Sequence, residues 1–142
     1  MPRILGIDFG DVRIGIAISD ANAFLAGEAF TLREPNFERA VDALAALVAD
    51  HGIVEIVLGY PKNMDGTVGV RGEKSELLAA LLRERTNCPV VLWDERRTSV
   101  DAHRILRESG KKTKSHKGTV DAVAATLILQ GYLDSRTNGG FA

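Results

Sequence analysis

Ile4-Leu5-Gly6-Ile7-Asp8-Phe9-Gly10-Asp11-Val12-Arg13-Ile14-Gly15-Ile16-Ala17-Ile18-Ser19 is the stretch that decides the fold. Its two halves, Ile4 to Phe9 and Val12 to Ser19, are short runs rich in β-branched residues, and Gly10-Asp11 between them predicts a hairpin. Phe24 to Leu32 extends it as a third antiparallel strand. Beyond this meander the period changes. Asn36 is placed to cap a helix carrying Phe37, Ala40, Val41, Leu44, Leu47 and Val48, which Gly52 stops.

An apolar run, Ile53 to Leu58, then has strand length and ends at Gly59-Tyr60-Pro61. Lys62 to Gly72 reads as a polar, glycine-rich loop. A helix with Leu77, Leu78, Leu81 and Leu82 follows, then a buried strand, Val90 to Trp93, ending in Asp94-Glu95-Arg96. Thr98 or Ser99 opens a further helix closed by Gly110, and Val120 to Leu133 forms the last. The order β-β-β-α-β-α-β-α-α implies an α/β fold, a mixed five-stranded sheet with helices on both faces. One domain is expected over residues 1–134, with a flexible tail over 135–142.

With 45% apolar residues, the 142-residue chain can bury a core without staples. Cys88 is the only cysteine, which excludes an intrachain disulfide; beside Pro89-Val90-Val91 it reads as an inert, buried thiol. The absence of a signal peptide or membrane-length apolar stretch makes the cytoplasm the expected location, with no membrane partner. His51, His103 and His116 are scattered without ligand spacing, and no serine has a nucleophile-elbow context. Gly59 to Gly72 lacks the phosphate-loop pattern. Trp93 and Tyr60 have rings able to stack on bases, but strand spacing assigns Trp93 to the core.

Three acidic positions occupy places where an apolar residue would cost less. Asp8 interrupts a hydrophobic strand, Asp94 and Glu95 end another, and Asp121 lies in the first turn of the last helix, at the edge of its packing stripe. Each has an ordinary alternative: a turn at Gly10, pairing with Arg96 or Arg97, or a favourable macrodipole term of about 0.3–1 kcal/mol. Together, in a fold that can converge them, they point to a metal site, because a buried carboxylate needs a partner. Hard oxygen donors without a His-Cys cluster select Mg²⁺ or Mn²⁺, and two such ions roughly 4 Å apart suit phosphodiester hydrolysis.

Net charge is −1, yet its distribution is uneven. Arg96, Arg97, Arg104, Arg107, Lys111, Lys112, Lys114 and Lys117 face only Asp101 and Glu108, so residues 96–117 carry +6 and the remainder −7. Such a segment can hold a nucleic-acid backbone next to the metal site.

The chain resembles the YqgF family, also called RuvX, of the ribonuclease H-like superfamily. The resemblance rests on Gly6-Ile7-Asp8-Phe9-Gly10 with Arg13-Ile14-Gly15 and Ser19-Asp20, on Gly59-Tyr60-Pro61 with Asp65-Gly66-Thr67, on Asp94-Glu95-Arg96, and on Asp121-Ala122-Val123-Ala124-Ala125. It implies a ribonuclease H-like fold and a catalytic, metal-holding triad of Asp8, Glu95 and Asp121. Glu95 is preferred to Asp94 on the family pattern alone. Arg13, Arg96, Arg104, Lys111, Lys112, Lys114 and Lys117 are the candidate nucleic-acid contacts. The resemblance also implies divalent-metal-dependent cleavage, in processing the 5′ end of pre-16S ribosomal RNA or in resolving branched DNA, by a monomer or homodimer. Two other functions fit the residues: a nucleotide-binding module, since the Asp8-Phe9-Gly10 hairpin also resembles the phosphate turn of sugar kinases, and a non-catalytic RNA-binding ribosome-assembly factor.

Overall fold

The computed structural model describes residues 3–21, 23, 25–61, 68–95 and 117–139, the side chains of 117–120 and 137–139 excepted. Strands β1 (Arg3–Phe9), β2 (Arg13–Ser19) and β3 (Ala26–Arg33) form the meander. Helix α1 (Phe37–His51), strand β4 (Ile53–Tyr60), helix α2 (Val70–Thr86), strand β5 (Val90–Asp94) and helix α3 (Lys117–Gly139) follow. The sheet order is β3-β2-β1-β4-β5, antiparallel through the meander and parallel from β1 to β4 to β5.

Strand alternation divides the core in two. Leu5, Ile7, Ile14, Ile16, Ile18, Ile56 and Leu58 point to the face that carries Ala40, Val41 and Leu44 of α1 and Leu78, Ala79 and Leu82 of α2. Ile4, Ala17, Val57 and Trp93 point the other way, toward Ala125, Ile128, Leu129 and Leu133 of α3. The expected mixed sheet with helices on both faces is therefore the observed one.

Helix α1 begins and ends where its residues predict. The Asn36 side chain accepts from the Arg39 amide at 3.0 Å, and Gly52 takes the left-handed conformation (φ 63°) while its N–H reaches Val48 O. Asn36→Ala is expected to lower stability by about 1 kcal/mol, read as a shifted denaturation midpoint with unchanged slope.

Several boundaries differ from expectation. The hairpin turn is longer by one residue, because Gly10 N–H closes on Arg13 O at 3.1 Å and leaves Val12 exposed in the turn. Strand β3 starts at Ala26, since the Asp20 amide bonds to Leu25 O at 2.9 Å and turns the chain first. Helix α2 starts at Val70, so Val70 to Gly72 is not loop: buried Gly72, Ser75, Leu78, Ala79 and Leu82 continue one helical stripe. Helix α3 spans Lys117–Gly139, longer at both ends than Val120 to Leu133 and running past the expected boundary at 134. Arg136 holds that extension, lying over the Tyr132 ring and 3.7 Å from Glu55. Cys88 is only partly buried, with its Sγ 3.4 Å from Ile53 O. The expected helix opening at Thr98 or Ser99 lies outside the described residues, as do 140–142.

Candidate active site

Three glycines on one face of the sheet let α3 lie unusually close to it. A Cβ at Gly15 would stand 2.0 Å from Asp121 O, one at Gly6 would stand 2.7 Å from Leu129 Cβ, and one at Gly59 2.8 Å from Ile128 Cδ1. Glycine inside a strand marks such an approach. Asp8 shares this face: it is Gly15's partner in the β1–β2 register, two residues beyond Gly6. The close packing thus delivers Asp121, on α3, to the strand pair that carries Asp8.

Glu95 arrives from the other side. Trp93 pairs with Gly59 across β4–β5 and points toward α3, so the residue two further on, Glu95, belongs to the same side and Asp94 to the opposite one. The Glu95 carboxyl carbon lies 3.4 Å from where a Gly59 Cβ would be. The structure therefore brings Glu95, rather than its neighbour, toward Asp8.

The carboxylates feel one another. Burial, then the charge of Asp121, push the Asp8 carboxyl up from 3.8 to about 6, against the opposing pull of Arg71. Glu95 is pushed up from 4.5 to about 7 by burial and then Asp8, with Arg71 again opposing and Asp94 adding a smaller push. Raised values of this kind single out Asp8 and Glu95 as candidate functional groups. The cluster is not closed, however. Among the described residues no three His, Cys, Asp or Glu side chains form a group that could hold a metal ion as they stand. Asp121 Oδ2 is instead engaged by Arg13 Nε at 3.0 Å.

Asp121 is also the fifth residue of α3, one turn beyond the helix start, so the macrodipole does not account for it. Arg13, expected to contact nucleic acid, holds an intramolecular carboxylate. Arg96, Arg104, Lys111, Lys112 and Lys114 lie outside the described residues, and so does the side chain of Lys117. Trp93 is core, packed edge-on to Tyr132. Tyr60 is buried too, and its hydroxyl donates to Glu76 at 2.6 Å, which removes it from base stacking.

Arg71 is the residue that sequence reasoning missed. It lines an open cleft of about 490 Å³ with Gly10, Asp11, Val12, Arg13, Arg33 and Asp121. Across the same region Lys74 bonds Asp11 at 2.9 Å, which holds the Asp11 carboxyl below its ordinary value.

Comparison with known proteins places the chain in a family. Residues 2–135 match the family model described as RuvX, Holliday junction resolvase. An Acetivibrio thermocellus protein named "Putative pre-16S rRNA nuclease" is 47% identical over 137 residues, covering 94% of this chain and 96% of its own. The Bacillus subtilis protein of that name is 44% identical over 135 residues, covering 94% and 98%. Among solved structures, Thermus thermophilus RuvC matches with a TM-score of 0.62 at 8% identity over 96% of both chains. The fowlpox virus Holliday junction resolvase gives 0.60 at 13% over 94% and 99%. At those identities the likeness is one of fold, and the fold is ribonuclease H-like. The matched model runs through all five strands and into α3, carrying Asp8, Glu95 and Asp121 with it: the chain belongs to the RuvX family.

Proposed function

We propose that the protein is a cytoplasmic, divalent-metal-dependent nuclease that trims the 5′ end of pre-16S ribosomal RNA, with Asp8, Glu95 and Asp121 as its metal-holding residues. The observation that carries this reading is the convergence of two half-buried carboxyls on the face that packs against Asp121, each made harder to ionise first by desolvation and then by an acidic neighbour. The substrate is taken from the named relatives.

The donor set fits Mg²⁺ or Mn²⁺. All three side chains offer hard oxygens, and the mutual repulsion of the carboxylates is what a small dication relieves. Two ions, once bound, would supply Lewis-acid stabilisation of the attacking and leaving oxygens. The chain's own residues do the rest. Asp8 and Glu95 give up their protons before they can act as ligands, so affinity for the ions rises with pH. Arg13 holds Asp121 in place through their 3.0 Å contact, and must loosen its hold for Asp121 to join the other two. Lys111, Lys112, Lys114 and Lys117, with Arg96 and Arg104, remain the proposed contacts to the substrate backbone.

The test is cleavage of pre-16S leader fragments and of four-way DNA junctions in Mg²⁺ or Mn²⁺, with Asp8→Asn as control. Cutting of the RNA alone supports the proposal, and cutting of the junction alone favours the activity named in the family description. Equal rates for wild type and Asp8→Asn would remove the metal mechanism. A second comparison separates the two neighbours at the end of β5. Glu95→Gln is expected to lose on the order of a hundredfold or more in kcat, whereas Asp94→Asn, on the opposite side, stays within about tenfold of wild type.

A further inference from the structure

The cleft beside the carboxylates is lined by three guanidiniums, those of Arg13, Arg33 and Arg71, against two carboxylates, those of Asp11 and Asp121. Arg13 and Arg33 are direct partners in the β2–β3 register, and like charges placed opposite one another destabilise a strand pair. Arg71 brings a third guanidinium to the same cleft. Two of the local cations have intramolecular anions, Arg13 with Asp121 and Lys74 with Asp11. Among the described residues neither Arg33 nor Arg71 takes part in an ion pair, and both are exposed.

The backbone adds to this. Arg71 is the second residue of α2, whose N-cap, Gly69, brings no side-chain hydrogen bond to the first-turn amides. The positive end of a 17-residue helix adds to the field on that side, offset in part by Glu73 in its first turn. Asp121 lines the cleft too, so the cleft and the carboxylates are neighbours, and Arg71 bears on Asp8, Asp11 and Glu95.

We infer that this cleft is a receptor for a terminal phosphate monoester of the nucleic-acid substrate, gripped by Arg33 and Arg71 beside Arg13. The charge balance selects the monoester. A terminal phosphate carries close to two negative charges near neutral pH, matching two guanidiniums, where an internal diester carries one. Planar guanidinium forks also suit its several equivalent oxygens. The inference rests on the nuclease reading, and it makes the enzyme one that measures from an end left by an earlier cleavage.

The experiment is binding of labelled RNA oligomers to wild type and to Arg33→Gln in EDTA, where no cleavage occurs. Three oligomers of one sequence carry a 5′-phosphate, a 3′-phosphate, or hydroxyls at both ends. Wild type is expected to bind one phosphorylated oligomer about tenfold more tightly than the hydroxyl-ended one, and which one identifies the end. Arg33→Gln should erase that preference while leaving hydroxyl-ended binding within about twofold, and its melting temperature should not fall, since it removes a like-charge pair. Arg71→Gln serves as the second variant. Equal affinity of wild type for all three oligomers overturns the inference, as does an equal weakening of all three by either variant. Cleavage in Mn²⁺ is scored separately: an end preference without cutting defeats the nuclease reading, and cutting without an end preference defeats only the receptor.

Discussion

Replacing Asp8 by Asn is expected to abolish cleavage, a loss on the order of a thousandfold or more in kcat, and yet to give a more stable protein. The two effects have one cause. Asp8 is half-buried, stands near Asp121 and Glu95, and is pushed up from 3.8 to about 6. Holding it charged at neutral pH opposes folding. A rise of that size is worth at most about 2.7 kcal/mol, and partial exposure reduces this to about 1–2 kcal/mol, or several degrees in melting temperature. Amide replacement removes the charge and keeps the shape. A variant that is inactive because it is misfolded would melt lower, so the direction of the shift separates the two explanations.

The same carboxyls fix the pH dependence. Their folded values lie above their unfolded ones, so between the two the native state binds more protons than the unfolded chain. The stabilisation they provide is complete below about 4, and it is lost as pH rises through about 6 for Asp8 and about 7 for Glu95. Metal-free protein should therefore lose stability between about pH 5 and 8, followed by denaturant titration at each pH. Mg²⁺ or Mn²⁺ should restore it at the upper end, because a ligand bound only by the native state stabilises by mass action. In Asp8→Asn both the pH slope and the rescue should shrink. A wild-type stability that is flat or rising over that interval would show that burial and neighbouring charge do not raise the two carboxyls.

What was legible in the sequence follows from which signals are local. The strands and α1 carry their own patterns: alternation or apolar runs, an Asn cap, a stopping glycine. Asp8 was visible because a charge in an apolar strand needs no knowledge of the neighbours to look costly. Choosing between Asp94 and Glu95 was not local. Parity along β5 has meaning only once Trp93 is paired with Gly59 and the Gly59 side is known to face α3. Arg71 was hidden for a different reason. Gly69 and Gly72 made the segment look like loop, although Gly72 lies in the helix, where a Cβ would stand 2.5 Å from Val68 Cγ1. The stripe of Gly72, Ser75, Leu78, Ala79 and Leu82 extends the helix back to Arg71, and an i, i+3, i+7 count that admitted glycine and serine would have found it.

Gly15→Ala is expected to be among the most damaging single-methyl changes in the chain, costing about 3 kcal/mol, at the upper end of what overpacking does. The added carbon would stand 2.0 Å from the Asp121 carbonyl oxygen, well inside contact distance. Because that oxygen belongs to the backbone of α3, no side-chain rotation relieves the clash. The helix must lift, which carries Asp121 away from Asp8 and exposes the layer formed by Ala125, Ile128 and Leu129. Trp93, the only tryptophan, reports the movement directly, since its ring lies 3.3 Å from where a Gly131 Cβ would be and packs on Tyr132. Its fluorescence should shift toward that of solvated indole in Gly15→Ala, along with a lower denaturation midpoint and loss of cleavage. Gly27→Ala is the control. It changes a glycine in a neighbouring strand whose Cβ would meet nothing closer than Ile18 O at 3.3 Å, and it should cost less than about 1 kcal/mol. Similar losses in the two variants would mean that strand glycines are needed for the sheet itself. A loss confined to Gly15 ties the active site to how closely α3 can approach it.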